Sequence, residues 1–471
     1  MMKIDKTSLL NICLNNEIWQ NRTVVEMVAV QKHHDDLLRS QLEALTEADK
    51  DYWSFKGNSR RECGHGMFQY PAMMVPQIAK TILEQACAVH PDIENVGDPF
   101  VGSGTIMTES MMHGLSFYGV DINPLAILLC RVKKGPFYIN ALKDKTMLLN
   151  SRIDGDGQDS IEVNFHNKDK WFTRDVQVSM SKIRRAIRKE GALWARRFFW
   201  VALAEAVRLT SNSRTSTFKL HTRTQQDIVD RVCDPIGMFK RALFRNIHHY
   251  EEQARTLSCS GQLARGHYKR EVKISLADVR NAQELSNLDI IITSPPYGDN
   301  ATTVPYGQYS YLPLQWIDLD DVERGLDTKY LDSTHEIDFR SLGGSRRLEK
   351  EELESLQDRS SAFKNYVQTL NDQPRDRIIR VAAFFRDLDN SLDPILKSLR
   401  PGGLMVWTLG NRKVGGKRVP LDCVLTELLQ LQQAAMLCKL TRRISSKRMA
   451  FKNNIAETMS NETILVMRKA I

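Results

Sequence analysis

IENVGDPFVGSGTIMTESMMHGLSFYGVDINP, residues 93–124, is the stretch on which the fold turns. Its pattern predicts a short strand around Asn95 to Asp98, a glycine-rich turn, a helix to about His113 and a second strand at Ser116 to Asp121. That succession is a βαβ unit. Gly102 and Gly104 let the backbone turn tightly and approach a ligand, and the helix that starts near Thr105 aims its unpaired N–H groups at the same place. A glycine turn of this kind is common by itself, and the full GxGxxG is absent. The carboxylates add weight: Asp98 and Asp121 close neighbouring strands at the carboxyl edge, where open α/β sheets bind their ligands. Asp121 stands where a carboxylate can accept two hydrogen bonds from a ribose diol.

Outward from this unit, HGMFQYPAMMVP is a proline-punctuated loop leading into an apolar-periodic helix from about Val75 to Val89. Downstream the alternation stops at about Lys133 and resumes near Tyr268 with the strand-like EVKISLADV and LDIIITSPPYG. A polar region runs on to about Arg375, and then the helix VAAFFRDLDNSLDPILKSL leads through RPGG into the strand LMVWTLGN, with ETILVMRK as a last strand. The expected class is α/β, a Rossmann-like fold with a mostly parallel twisted sheet, helices on both faces and a large, mainly helical basic insertion. The expected segments are 1–60, helical; 61–132, the ligand-binding part of the core; 133–268, the basic insertion; 269–300, a further part of the core; 301–375, a second insertion; and 376–471, the C-terminal part of the core.

The chain has 471 residues, 42% hydrophobic and 26% charged, enough apolar material for a full core. Its net charge of +9 is unevenly spread, because Trp171 to Arg270 alone holds 20 Lys and Arg against 8 Asp and Glu. Such a stretch points to an anionic partner, although a solvated helical face is the plainer reading of any basic run. Arg208, Arg214 and Lys219 are the candidate phosphate contacts there, while Phe198, Phe199 and Trp200 read as core. The 8 cysteines form no CxxC pair and no cluster at metal-ligand spacing, so no metal is expected. No signal-peptide core and no membrane-length apolar run occurs, so a reduced, cytoplasmic protein with no membrane contact is expected.

DIIITSPPYG, residues 289–298, ends a buried strand in a stiff corner. Proline lacks an N–H and fixes φ, so Ser294-Pro295-Pro296 leaves the strand extended and rigid with carbonyls turned outward. A planar amino group could donate to the Ser294 hydroxyl and a main-chain carbonyl while the Tyr297 ring stacks on the attached heterocycle. The corner suits an aromatic amine.

With DPFVGSGT at 98–105 and TSPPYG at 293–298, the chain resembles the S-adenosylmethionine-dependent DNA amino-methyltransferases, which modify cytosine N4 or adenine N6. The resemblance covers the catalytic core and leaves both insertions and the N-terminal helix unaccounted for. It implies S-adenosyl-L-methionine as cofactor, held by Asp98, Phe100, Gly102, Gly104 and Thr105 of the first motif and by Asp121 and Ile122 of YGVDINP. It further implies Tyr70 and Pro71 of FQYPAMMVP over the methionine end, and Asp278 of LADVRN at the adenine amino group. Ser294, Pro295, Pro296 and Tyr297 are then the catalytic loop acting on a flipped base of double-stranded DNA. Ser at the head of that loop favours cytosine N4, with adenine N6 as the alternative. An RNA amino-methyltransferase and a noncatalytic recognition subunit are rival readings, which intact Asp98, Asp121, Ser294 and Tyr297 disfavour in the second case. The basic insertion is the first candidate for DNA engagement; the region 301–375 competes with it, and TTVPYGQYS is a candidate pocket-lining segment. A cognate restriction endonuclease is a candidate partner, and the sequence fixes no oligomeric state.

Overall fold

The computed structural model describes residues 29–444 and 459–471, apart from 60, 282, 284 and 300–302. Seven strands form the main sheet: β1 (Asn95–Asp98), β2 (Ser116–Asp121), β3 (Val272–Leu276), β4 (Leu288–Thr293), β5 (Leu399–Leu409), β6 (Ala434–Arg443) and β7 (Asn461–Lys469), in the order β6-β7-β5-β4-β1-β2-β3. The pairs β3/β2, β2/β1, β1/β4 and β4/β5 are parallel, while β7 runs antiparallel to both β5 and β6. This is the Rossmann-like α/β fold.

Every residue of β4, LDIIIT, is buried, as a central strand covered on both faces requires. Successive side chains then serve opposite layers. Ile290, Ile292, Leu404 and Val406 join one apolar cluster, and Ile291, Met405 and Trp407 join the other. The strand Ala434–Arg443 goes unmarked in the sequence because it is an edge strand, alternating buried and exposed residues without a sustained apolar run.

Helix α1 (29–48) belongs to the N-terminal segment expected to be helical, of which residues 1–28 and 60 lie outside the described residues. Helices α2 (Pro76–Val89), α3 (Thr105–Met112) and α4 (Pro124–Lys133) contribute to the first cluster, and α4 starts with the side chain of Asn123 accepting the Leu125 N–H. The basic insertion is helical: α5 (Ile139–Asp154), α6 (Arg174–Arg188), α7 (Leu193–Thr210) and α8 (Pro235–Cys259). It is not a satellite, because Phe198, Phe199 and Trp200 of α7 are buried in the same cluster as the sheet. The Trp200 indole donates to Asp321 (2.7 Å), which also pairs with Arg196, so the two insertions interlock. Helix α9 (Tyr306–Trp316) follows the proline corner, and α10 (Arg375–Ser398) and α11 (Leu421–Leu431) pack in the second cluster.

Leaving β1, the chain builds β2 and β3 on one side and returns to lay β4 on the other. The carboxyl ends of β1 and β4 are therefore the topological switch point, the place where such sheets open a crevice.

Candidate functional site

Both motifs emerge at that switch point. Asp98 is the last residue of β1 and Thr293 the last of β4, and the Thr293 hydroxyl donates to Asp98 Oδ1 at 2.6 Å across 195 residues of chain. The Phe100 N–H donates to the same oxygen at 3.0 Å. One strand over, Asp121 accepts the Gly102 N–H on Oδ2 and the Asn123 N–H on Oδ1, both at 2.8 Å. The two carboxylates thus shape the glycine turn from either side. Gly104 completes it at φ +76°, where an added Cβ would lie 2.9 Å from Cys130 Sγ. Beneath the turn the buried Lys133 ammonium donates to the Ser103 carbonyl at 2.6 Å, and burial pushes this lysine down to about 8.

A cavity of about 880 Å³, counting its open mouth, occupies the crevice, within the range of cofactor sites. Of the residues expected to hold a cofactor, Tyr70, Pro71, Asp98, Phe100, Gly102, Thr105, Asp121, Ile122 and Asp278 line it, whereas Gly104 shapes the turn behind it. Ser294 and Pro296 line the same cavity. Pro295 is buried beside them and Tyr297 stands off the lining. The Tyr297 hydroxyl instead donates to Glu462 (3.1 Å), itself paired with Arg442. The Tyr297 ring also lies so close to Gly410 that a Cβ there would come within 2.3 Å of it.

Burial dominates the electrostatics. It raises Asp98 to about 7, with the neighbouring Asp121 charge adding to the effect, and raises Asp121 to about 6. Among the described residues neither carboxylate has a cationic side chain within salt-bridge distance. The cavity thus presents two carboxyl groups that burial holds close to neutrality, and a positive group beside Asp98 would favour its ionised form.

Further lining residues lie outside the two motifs. Tyr306 lies in TTVPYGQYS and lines the cavity, as that segment's position after the corner suggests. Ile337, Arg340, Ser341 and Leu342 come from the second insertion. Asn123, two residues after the motif aspartate, has no motif role in the sequence, yet its amide donates to Tyr70 Oη and Ser310 Oγ, both at 2.8 Å, tying the loop before α2 to α9.

The candidate phosphate contacts separate. Arg208 sits in the last turn of α7, and its guanidinium stacks over the Tyr309 ring, 4.5 Å from the centroid. Arg214 and Lys219 are exposed on a bridged turn, Ser213 opposite Thr222, that rests on α9 through Phe218 against Tyr309 and the Leu220 N–H donating to Gln308. Much of the basic surplus elsewhere in the insertion is neutralised locally, as with Arg185–Asp156 and Arg245–Glu205. Among the described residues no helix is long and apolar enough to cross a membrane, and no three or more His, Cys, Asp or Glu side chains gather as metal ligands would.

No family model matches the chain. It is 30% identical over 459 residues to the type II methyltransferase M.MvaI of Kocuria varians, covering 93% of this chain and 98% of that relative. It is 26% identical over 181 residues to the type II methyltransferase M.MjaII of Methanocaldococcus jannaschii, covering 35% of this chain and 33% of the relative. Among solved structures, the rRNA methyltransferase aviRa of Streptomyces viridochromogenes aligns at 12% identity and a TM-score of 0.28 over 84% of this chain and 86% of its own, a likeness too slight to carry an argument.

Proposed function

This chain belongs to the type II DNA methyltransferases, which take their methyl group from S-adenosylmethionine, and we propose that it methylates the exocyclic amino nitrogen of a base swung out of duplex DNA, cytosine N4 ahead of adenine N6. The observation that carries this reading is the Thr293–Asp98 bond, which joins the glycine turn to the proline corner so that both line one cavity.

The residues fit the cofactor. S-adenosylmethionine is positive at its sulfonium and its ammonium, and the cavity offers Asp98 and Asp121 without cationic partners among the described residues. When bound it supplies an electrophilic methyl group. In our reading Asp98 serves the charged methionine end, over which Tyr70 and Pro71 close. Asp121 accepts from the ribose diol and Asp278 from the adenine amine, with Phe100 and Ile122 flanking the ring and Thr105 offering its helix-start N–H.

The Ser294 hydroxyl and the Pro295 carbonyl accept hydrogen bonds from the target amine, drawing its lone pair away from the ring and aiming it into the cavity. Pro296 keeps that corner stiff. Tyr297 provides the stacking wall, held by Glu462 at its hydroxyl and by the bare backbone of Gly410 at its ring edge. Positioning of this kind is the main catalytic contribution in a direct displacement. Ser at the head of the loop supports cytosine. Arg214 and Lys219 meet backbone phosphates, and Arg208 supports them through Tyr309. Double-stranded DNA is the substrate, and a restriction endonuclease reading the same site is the partner against which modification protects.

The test is direct. The chain is expressed in a host that lacks DNA modification, and the digested DNA is analysed by nucleoside mass spectrometry. N4-methyldeoxycytidine is expected; N6-methyldeoxyadenosine would move the target to adenine, and methylated RNA or an unmodified genome would overturn the proposal.

A further inference from the structure

The cofactor motifs account for one side of the cavity; the opposite wall, Ile337 to Leu342, belongs to the second insertion and carries no motif. What holds that wall against the core is Arg280, two residues beyond Asp278. Its Nε donates to both Asp278 oxygens at 3.0 Å and its Nη2 to Oδ2 at 2.5 Å, while its own backbone N–H donates to Oδ1 at 3.0 Å. Nη2 also donates to the Arg340 carbonyl at 3.0 Å. Nη1 lies 3.3 Å from Asp387 Oδ2, and that buried carboxylate accepts the Gly343 N–H at 2.8 Å.

One guanidinium therefore grips a carboxylate of the core, the backbone of the far wall and an anchor on α10. A carboxylate has about four lone-pair sites. Three N–H groups of Arg280 hold the Asp278 oxygens, with Nε shared between the two, so the carboxylate is locked in one orientation and a further donor can reach it only from the cavity that it lines. We infer that Arg280 is a positioning residue for recognition of the cofactor's adenine ring: it fixes the orientation in which Asp278 meets the 6-amino group and at the same time fixes the 340–343 wall that closes over the ring. Arg280 itself does not line the cavity. The inference rests on the reading of Asp278 given above.

Isothermal titration of the full chain with S-adenosylhomocysteine and with S-inosylhomocysteine, which carries an oxo group in place of the 6-amine, tests this. Wild type should prefer the adenosyl compound by about tenfold or more, since an unmatched polar pair is penalised at such a site. In Arg280→Ala the adenosyl affinity should fall about tenfold and the preference should shrink to within about twofold. Arg280→Lys keeps the charge without the fork and should also lose most of the preference, which keeps the question answerable if the alanine variant does not fold. Asp387→Asn leaves the grip on Asp278 intact, so it should weaken both ligands while retaining the preference. A folded Arg280 variant that retains the wild-type preference would overturn the inference alone. A wild type that binds neither compound would overturn the cofactor-site reading and this inference with it.

Discussion

Lowering the pH should release the cofactor, by an amount that the cavity sets. Burial holds Asp98 up at about 7 and Asp121 up at about 6. At pH about 7.5 the first is then ionised in about three quarters of molecules and the second in nearly all. At pH about 5.5 the fractions are about 3% and about a quarter, so both charges coexist in under about 1% of molecules. If binding requires both as carboxylates, Asp98 facing the ammonium and Asp121 accepting from the ribose diol, affinity weakens about 100-fold, or about 2.7 kcal/mol, across that interval. Calorimetric titration with S-adenosylhomocysteine, which keeps the ammonium and the ribose, follows this in steps of pH. Asp98→Asn should bind more weakly at the upper end and show a shallower slope. Stability of the ligand-free protein runs the other way. Both carboxyls hold protons more tightly in the folded chain than in the unfolded one, so their penalty is absent below about pH 4 and grows as pH rises through 6 and 7. Melting temperature of the free protein should fall over that range and recover with saturating ligand. An affinity that stays level between the two pH values would refute the role assigned to the carboxylates.

Ser294→Ala should lower kcat by about 100-fold or more while leaving cofactor affinity unchanged, as read by single-turnover methylation alongside calorimetry; unimpaired turnover would remove the hydroxyl from the mechanism. Gly104→Ala places a methyl group at a positive φ and within 2.9 Å of Cys130 Sγ, so denaturant unfolding should show a loss of about 1–3 kcal/mol. Trp200→Ala empties a fully buried site and strips Asp321 of a donor, which should cost about 3–5 kcal/mol in the same assay. Replacing Arg214 and Lys219 together by Ala should weaken DNA binding and reduce its salt slope by about 2 without changing cofactor affinity; an unaltered slope would place DNA elsewhere.

The legible parts of this molecule are those written in backbone chemistry. Gly102 and Gly104 between two short strands announce the turn, and consecutive prolines after LDIII announce the corner, because each constrains the chain within a few residues of itself. The rest is decided by distant partners. Nothing within THEIDFRSLGG says that Ile337 to Leu342 will wall a cavity, since what fixes them is Arg280, about 60 residues earlier. Arg208 reads as a phosphate contact until Tyr309 arrives beneath it, 4.5 Å away. Likewise Arg185 and Arg196 count as surplus charge in the sequence but find Asp156 and Asp321 in the fold. Tyr297 reads as part of a binding wall, and its hydroxyl's engagement with Glu462, 165 positions on, has no local signature.

The position of β7 bears on how the protein comes to life on the ribosome. This strand, Asn461–Lys469, slots between β5 and β6, both made earlier. A nascent chain halted before Asn461 would carry every residue that lines the crevice, though not Glu462, yet β5 would end the sheet with a bare edge and β6 would have no neighbour. Such fragments would be sticky and short-lived, inviting pairing with other chains. Removing residues 460–471 should therefore silence the enzyme by taking away the shared neighbour of β5 and β6, and with it the Glu462 partner of the Tyr297 hydroxyl.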